Sequence, residues 1–335
     1  MMFKDTLNQL LAAKDLSHDQ MLAVMQQVMM GELNEAQIAA LLIALRLKGE
    51  TVDEIAAAAT VMRQLSTKVD TKQTQYLVDT CGTGGDGIQT FNVSTVSAFV
   101  AAAAGAKVAK HGGRSVSSTC GSADLLEALG VNVNKSADEV AASVDEIGIG
   151  FMFAPNHHSA MKYAAPVRKA LGVRTIFNLL GPLTNPASAR RQLMGVFDQE
   201  LTGKLAQVLQ KLGSEHVLVV HGADGMDEIS FTGDTYVAEL KDDKVTEYTV
   251  NPIQFGLSLH TLKDIQIQNA AESKAMIMDV LHGKKGAARD IVLMNAGAAI
   301  YVAGLVISLE AGIQKAAQMI DEGKALATLL ALQAR

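Results

Sequence analysis

Apolar residues recur at helical spacing throughout the first 65 positions of the chain. The stretches 21–28 and 38–45 each place apolar side chains three and four positions apart, as on one face of a helix. Ser17, Asn34 and Thr51 each stand three positions before a Gln or Glu, which is the spacing of a capping box at a helix start. This pattern predicts a small helical bundle without strands.

Beyond the polar stretch 68–75, short β-branched runs alternate with helical patterns. Strands are predicted at 76–78, 107–109, 131–133, 151–153, 193–197 and 216–220. Helices are predicted at 93–104, 122–129, 136–147, 200–212 and over most of 269–334, and a more polar sheet segment at 228–259. Alternation of strand and helix implies parallel pairing through crossover helices.

Three of the five prolines fall in residues 164–187, where they interrupt the alternation. We interpret this segment as a crossing back to the helical domain or as a hinge. The predicted fold class is α/β, with a small N-terminal helical bundle domain and a larger α/β domain whose mainly parallel central sheet is flanked by helices. The predicted helical domain is 1–70, joined by about 165–188, and the predicted α/β domain is 71–164 with 189–335.

Composition narrows the function classes. The 335 residues carry a formal net charge of −6 and only 4% aromatic residues, with no Trp, which argues against a nucleic-acid partner. Two cysteines exclude a disulfide framework and a four-cysteine zinc site. The uncharged stretch 291–309 is long enough to span a membrane but is rich in Ala and Gly, so a buried helix is expected. We expect no membrane partner and a cytoplasmic location.

Two segments that follow predicted strands have the chemistry of phosphate-binding loops. Residues 79–87, DTCGTGGDG, hold four glycines in six positions shortly before a helix, so backbone N–H groups and a helix N-terminus can meet an anion. Residues 110–118, KHGGRSVSS, combine two cations, two glycines and hydroxyl donors. The alternatives are a tight structural turn and a solvated surface loop.

Acidic and basic side chains elsewhere extend this chemistry. Asp227 and Glu228 follow a predicted strand, where adjacent carboxylates suit Mg²⁺ shared with a substrate phosphate. The alternative is two exposed acids on a turn. Arg168 could grip a carboxylate with both arms of its guanidinium, or it could be an ordinary surface arginine.

Taken in order along the chain, these motifs resemble the anthranilate phosphoribosyltransferase family. The matching runs are GTGGD at 82–86, NVST at 92–95, KHGGRSVSS at 110–118, FAPNHH from Phe153, PVR from Pro166, FNLLGPLTNP at 177–186 and the DE pair at Asp227. The resemblance covers essentially the whole chain. Several motifs in one order are more specific than any single motif.

The resemblance implies transfer of a phosphoribosyl group from phosphoribosyl pyrophosphate to the amine of anthranilate in tryptophan biosynthesis, with Mg²⁺ as cofactor and a homodimer formed through the helical domain. It implies donor contacts at Gly82, Gly85, Asp86, Thr90, Asn92, Val93, Ser94, Thr95, Lys110, His111, Gly112, Gly113, Arg114, Ser115, Val116, Ser117, Ser118 and Ser122. It implies anthranilate contacts at Gly82 and Arg168 and metal ligation by Ser94, Asp227 and Glu228.

One position departs from the family pattern. The family usually has Asn where Gly113 stands, and that Asn contacts anthranilate. Gly113 keeps a backbone N–H but has no side-chain amide, so a related phosphoribosyltransferase with another aromatic amine acceptor stays open. A nucleoside phosphorylase of similar architecture is the second alternative. A non-catalytic nucleic-acid-binding relative is the third, and the acidic balance and the Asp227–Glu228 pair argue against it.

Overall fold

Four helices precede the first strand in the computed structural model, which describes residues 3–114 and 120–335. They are α1 (Phe3–Leu11), α2 (His18–Met30), α3 (Glu35–Lys48) and α4 (Val52–Leu65). The three predicted capping boxes are confirmed, because Ser17, Asn34 and Thr51 each exchange both hydrogen bonds with the residue three positions on. The apolar faces of these helices share one core, so the N-terminal helical bundle is also confirmed.

The described residues form one seven-stranded sheet, with order β3-β2-β1-β4-β5-β6-β7. Its strands are β1 (Leu77–Asp79), β2 (Lys107–Gly112), β3 (Ile149–Phe153), β4 (Arg191–Gly195), β5 (His216–Gly222), β6 (Thr235–Lys241) and β7 (Lys244–Val250). The first five pair in parallel, and β6 and β7 are antiparallel. Helices connect the parallel strands because such pairs need long crossovers, whereas a two-residue turn joins β6 to β7. The mainly parallel sheet is confirmed.

The helices after β1 cover the sheet and return to the bundle. They are α5 (Val93–Ala103), α6 (Ser122–Ala128), α7 (Ala137–Ile147), α8 (Ala154–His157), α9 (Ala165–Leu171), α10 (Phe177–Leu180), α11 (Leu201–Lys211), α12 (Ala270–Leu281), α13 (Ala287–Ala303), α14 (Leu309–Asp321) and α15 (Lys324–Gln333). Leu218 of β5 packs in the core that contains α5 and α13. Its neighbour Val219 packs in the core shared with α11 and the bundle, so the sheet is covered on both faces.

The predicted strand at 131–133 is wrong. Residues 131–136 have no regular secondary structure, although Val131 and Val133 are buried in the core beside α5. β2 pairs directly with β3 along its length, which leaves no position between them for another strand. The alternating apolar pattern therefore reflects an extended loop that packs two valines without pairing.

The long apolar stretch 291–309 is mostly the buried helix α13, as expected. The helix ends at Ala303, and Gly304 adopts a left-handed φ of 87° that turns the chain toward α14. Among residues 3–114 and 120–335, no helix has both the length and the apolarity needed to cross a membrane.

The proline-containing segment 164–187 packs with the bundle. It contains α9 and α10, and its residues Val167, Ile176 and Phe177 are buried in the same core as the bundle helices. Its last part returns to the sheet, where the Val69 N–H donates to the Pro186 carbonyl at 3.2 Å.

The strand order places a crevice between β1 and β4. These strands are neighbours, and from them the chain builds the sheet outward in opposite directions. In open α/β sheets, ligands bind beyond the carboxyl ends of the strands at such a reversal point. The predicted phosphate loops follow β1 and β2, so the fold brings them to one edge.

Candidate active site

The glycine-rich loop leaves β1 at this reversal point. Gly84, Gly85 and Gly87 have φ values of 63°, 80° and 77°, a backbone region that side chains disfavour. The loop is fixed to the neighbouring strand β4, because the Thr83 N–H donates to the Gly195 carbonyl at 2.9 Å. The predicted position of the loop, after a strand and shortly before the helix α5, is confirmed.

Asp227, predicted from the sequence as a metal ligand, lies against this loop. The Gly84 N–H donates to Asp227 Oδ2 at 2.7 Å. A Cβ at Gly82 would lie 3.0 Å from Asp227 Oδ2, and a Cβ at Gly195 would lie only 1.5 Å from the Asp227 carbonyl oxygen. Asp227 and Glu228 are both half-buried, so the alternative of two exposed acids on a turn is wrong.

Three carboxyl groups crowd beside the loop. Burial, and after it the nearby Asp86 carboxylate, raises the pKa of the Asp227 carboxyl to about 7. Burial also raises the pKa of Glu228 well above its ordinary value, with Asp227 as the next cause. The pKa of Asp86 shifts in the same direction, chiefly through burial. A cation bound beside these carboxyl groups would stabilise their ionised forms, so the cluster favours a cation.

Lys110 supplies a cation at the floor of the site. It is only 3% exposed, and its Nζ donates to the Thr80 carbonyl at 2.8 Å and to Ser94 Oγ at 3.1 Å. Burial lowers the pKa of Lys110, and the neighbouring acidic groups, Asp227 and Glu228 among them, oppose that shift. Lys110 lies in strand β2 rather than in the predicted loop, so its side chain reaches the site from the sheet.

The oxygen donors present suit Mg²⁺ bound together with a phosphate ester. No three His, Cys, Asp or Glu side chains converge as a metal site in the described parts of the chain. Glu228 lies beside Ser94, whose backbone N–H hydrogen-bonds its carboxylate. Mg²⁺ often takes one or two carboxylates and completes its shell with substrate phosphate and water. Ser94, Asp227 and Glu228 therefore fit a shared site better than a protein-only cage.

The second predicted phosphate loop is divided between a strand and a loop. Strand β2 continues through Gly112, so Lys110 and His111 belong to the sheet. Burial lowers the pKa of the His111 imidazole to about 3, which keeps the ring neutral. A Cβ at Gly113 would meet no atom of the described residues within 4 Å. Four further residues of this motif lie outside the described residues: Ser115, Val116, Ser117 and Ser118.

Arg114, the second cation of this motif, is paired with carboxylates. Its Nη1 lies 2.9 Å from Asp124 Oδ1 and 2.6 Å from Glu127 Oε2, and its guanidinium lies over the Phe153 ring. The Arg114 side chain is 48% exposed. In this arrangement the guanidinium is held against the acidic face of α6.

The start of α5 gathers several predicted donor contacts. Asn92 stands at the start of this helix, but its side chain makes no capping bond. Instead Asn92 Nδ2 donates to the Cys120 carbonyl, and its Oδ1 accepts from Ser273 Oγ, both at 2.9 Å. Thr95 Oγ1 donates to Ser122 Oγ at 3.2 Å, so two predicted donor contacts on different helices are neighbours.

The remaining predicted residues lie at the margins of the site. Thr90 forms a β-bridge with Gln266, and Val93 is buried in the core. Arg168 lies on α9, with its guanidinium over the Phe177 ring, and burial lowers its pKa. Arg168 thus comes from the segment that packs with the bundle, while the other predicted acceptor contact lies in the glycine-rich loop.

Three residues that position the loops were missed from the sequence. Asn185 Nδ2 donates to the buried Asp79 Oδ2 at 2.7 Å, and Gln192 Nε2 donates to the Cys81 carbonyl at 3.2 Å. Gly195 allows the close approach of the Asp227 backbone. Gln192 is a buried polar residue within an apolar strand and Gly195 ends that strand, and both features are signals of a close backbone approach.

Comparisons with known proteins agree with this geometry. Residues 74–326 match the model of a glycosyl transferase family a/b domain, and residues 4–66 match that of a glycosyl transferase family helical bundle domain. An anthranilate phosphoribosyltransferase of Methylobacillus flagellatus is 62% identical over 99% of this chain and 97% of its own length. One of Thiobacillus denitrificans is 59% identical over 96% of this chain and 94% of its own.

Solved structures share the fold over nearly the whole chain. The anthranilate phosphoribosyltransferase of Thermus thermophilus superimposes with a TM-score of 0.93 at 41% identity, covering 98% of both chains. The enzyme of Saccharomyces cerevisiae in complex with PRPP and Mg superimposes with a TM-score of 0.88 at 30% identity, covering 99% of this chain and 97% of its own. The same yeast enzyme in complex with 4-fluoroanthranilate superimposes with a TM-score of 0.87 at 28% identity, covering 99% of this chain and 96% of its own.

Proposed function

This chain belongs to the anthranilate phosphoribosyltransferase family, and we propose that it transfers the 5-phosphoribosyl group of phosphoribosyl pyrophosphate to the amine of anthranilate. The products are N-(5-phosphoribosyl)anthranilate and pyrophosphate, as a step in tryptophan biosynthesis. The observation that carries the proposal is the bond from the Gly84 N–H to Asp227 Oδ2, which joins the anion-binding loop to the metal-type carboxylates.

The donor is assigned to the crevice between β1 and β4. The pyrophosphate faces backbone N–H groups of the glycine-rich loop and the positive dipole end of α5, both of which favour anions. Lys110 adds a buried positive charge from below. Arg114 is also assigned to the donor. Its guanidinium would leave its carboxylate partners and bind phosphate oxygens instead.

Ser94, Asp227 and Glu228 would hold Mg²⁺ together with the donor. When bound, the ion supplies positive charge that stabilises the departing pyrophosphate. The yeast relative, whose structure contains both PRPP and Mg, supports this assignment. The raised pKa values of Asp227 and Glu228 support it too, because a cation would relieve the repulsion between these groups.

The acceptor is assigned to Gly82 and Arg168. Arg168 would pair with the carboxylate of anthranilate, and the open space at Gly113 leaves room beside the acceptor. An aromatic amine is neutral at pH 7, so the reaction needs no strong base and we name no catalytic residue. Positioning the amine in line with the departing pyrophosphate supplies much of the rate.

The domain arrangement and assembly are parts of the same proposal. Residues 1–70 with about 165–188 form the helical domain, and 71–164 with 189–335 form the α/β domain. We propose a homodimer through the helical domain, supported by Leu11, Met30 and Leu47, which are 68%, 61% and 81% exposed there. We also propose that the enzyme acts in the cytoplasm.

Anthranilate fluorescence provides the test. The purified chain with phosphoribosyl pyrophosphate and Mg²⁺ should extinguish the fluorescence of anthranilate, and leaving out the chain, the donor or Mg²⁺ should prevent the loss. Release of one pyrophosphate per anthranilate consumed would establish the transfer. Persistent fluorescence, or cleavage of a nucleoside by inorganic phosphate under parallel conditions, would overturn the proposed acceptor and favour a phosphorylase.

A further inference from the structure

Arg174, in the loop between α9 and α10, contacts the glycine-rich loop. Its Nη2 donates to the Gly85 carbonyl. Its guanidinium carbon lies 3.9 Å from the centre of the Phe197 ring, so the plane of charge rests on an aromatic face. Two different contacts therefore hold one side chain beside the loop.

The aromatic ring that supports Arg174 is itself tied to the loop. Phe197 follows β4, and its N–H donates to Thr83 Oγ1 at 3.2 Å. Arg174 thus bridges two points of the same loop, one directly at Gly85 and one through Phe197 and Thr83.

The backbone of Arg174 is tied to the helical bundle. Its carbonyl accepts a hydrogen bond from Nη1 of Arg46, which lies on α3. The chain of contacts therefore runs from a bundle helix through Arg174 to the loop that follows β1. It joins the helical bundle to the glycine-rich loop.

The contact at Gly85 holds the carbonyl end of the peptide unit that joins Gly85 to Asp86. Gly85 has a φ of 80° and no side chain, so its flanking peptide units can rotate at low cost. The Gly85 carbonyl and the Asp86 N–H belong to one rigid peptide unit and point in opposite directions. Holding the carbonyl against Arg174 therefore aims the Asp86 N–H away from Arg174.

We propose that Arg174 is a positioning residue that orients the Gly85–Asp86 peptide, and with it the anion-binding face of the loop, before the phosphoribosyl donor binds. The inference rests on the proposed function, because it assigns the loop to that donor. Arg174 sets donor affinity through the loop, not through contact with the reacting atoms. Preorganisation of this kind reduces the ordering cost of binding.

Replacing Arg174 should weaken donor binding selectively. Arg174→Ala should raise the KM for phosphoribosyl pyrophosphate about tenfold, the size expected for a lost charge-assisted hydrogen bond. It should leave kcat and the KM for anthranilate within about twofold. Arg174→Lys should restore part of the affinity, because an ammonium can still reach the carbonyl but cannot form the planar stack. Phe197→Leu should shift the donor KM in the same direction by a smaller factor.

Arg190→Ala is the matched control. Arg190 is also an exposed arginine that donates to a glycine carbonyl, through Nε to Gly213 at 2.7 Å, but it lies immediately before β4, at the end of the strand away from the crevice. The Arg190→Ala variant should have the same KM for phosphoribosyl pyrophosphate as the wild type. Binding of donor with Mg²⁺ in the absence of acceptor, measured by calorimetry, should show the same ranking as the KM values.

The outcomes separate this inference from the proposed function. If the wild-type chain does not consume anthranilate, the proposed function itself fails. If the wild type is active and Arg174→Ala binds donor as tightly as Arg190→Ala, the positioning role of Arg174 is overturned. A fall in kcat, or an equal rise in both KM values, would also contradict it.

Discussion

Gly195 is a residue whose importance comes from the atoms that approach it. A Cβ there would lie 1.5 Å from the Asp227 carbonyl oxygen, so any side chain must push Asp227 away from the glycine-rich loop. Gly195→Ala should lower kcat/KM by about 100-fold, because a displacement of about 1 Å at a reacting site has that effect. Steady-state assays over both substrates would measure the loss.

Gly233→Ala is the control for that prediction. Gly233 has no atom within 4 Å of an added Cβ and no left-handed φ, so the same chemical change meets open space. Equal kcat/KM values for the two alanine variants would show that the close approach at Gly195 does not hold Asp227 in place.

Asp79 makes stability depend on pH. Burial raises the pKa of its carboxyl from 3.8 to about 6, although it accepts hydrogen bonds from Asn185 and His111. The folded protein therefore binds this proton more tightly than the unfolded chain, and ionisation opposes folding. The cost is absent below about pH 4 and complete above about pH 6, and it amounts to about 3 kcal/mol.

A variant isolates this effect. The free energy of urea unfolding of the wild type, minus that of Asp79→Asn, should fall by about 3 kcal/mol between pH 4 and pH 7. The same difference taken with Asp138→Asn, which changes an exposed carboxylate, should stay constant. A difference that rises with pH for Asp79→Asn would contradict the direction of the shift.

At the scale of elements, α13 and α14 cross at two glycines. A Cβ at Gly297 would lie 2.6 Å from the Ile313 nitrogen, and one at Gly312 would lie 2.2 Å from the Gly297 carbonyl oxygen. Gly297→Ala should therefore force the helices apart and reduce the free energy of unfolding by about 3 kcal/mol. Thermal unfolding should show a lower Tm.

The crossing lies among the core helices rather than in the loops of the site. The substitution should therefore lower stability without lowering activity. Below the transition, the kcat/KM of Gly297→Ala should stay close to that of the wild type. An unchanged Tm would show that the backbones can separate without loss of packing.

Element types were largely predictable from the sequence because local signals and tertiary packing agree. The capping boxes at Ser17, Asn34 and Thr51 mark real helix starts. The failures occur where packing outweighs local pattern. Residues 131–133 alternate like a strand but pair with no described strand, because Val131 and Val133 pack in the core beside α5 instead.

Across the whole molecule, the chemistry of the site was predictable but its geometry was not. The glycine-rich loop and the Asp227–Glu228 pair stand out as residue types, but strand order decides that they meet. That order depends on long-range pairing such as that of β1 with β4, which leaves no local signal. The roles of Gly195 and Arg174 follow from those contacts, and so they appear only in the folded chain.

Assembly is also a property of the whole molecule. Leu47 is 81% exposed near the end of α3, and its burial against a second subunit would remove apolar surface from water. If the helical domain forms the dimer, Leu47→Glu should place charge in the interface and shift the protein to a monomer in sedimentation experiments. Leu259→Glu, at an exposed leucine in the α/β domain, should leave the mass unchanged. A monomeric wild type would contradict the proposed dimer.

The central claim is that the carboxylates held against the glycine-rich loop bind Mg²⁺ with the donor. Turnover is to be measured against Mg²⁺ concentration for the double variant Asp227→Asn, Glu228→Gln. The control is the double variant Asp242→Asn, Asp243→Asn, which removes the same charge in the turn between β6 and β7. The account predicts that the control matches the wild type, while the first variant loses turnover at limiting Mg²⁺. Unchanged turnover of that variant at limiting Mg²⁺ would contradict the account.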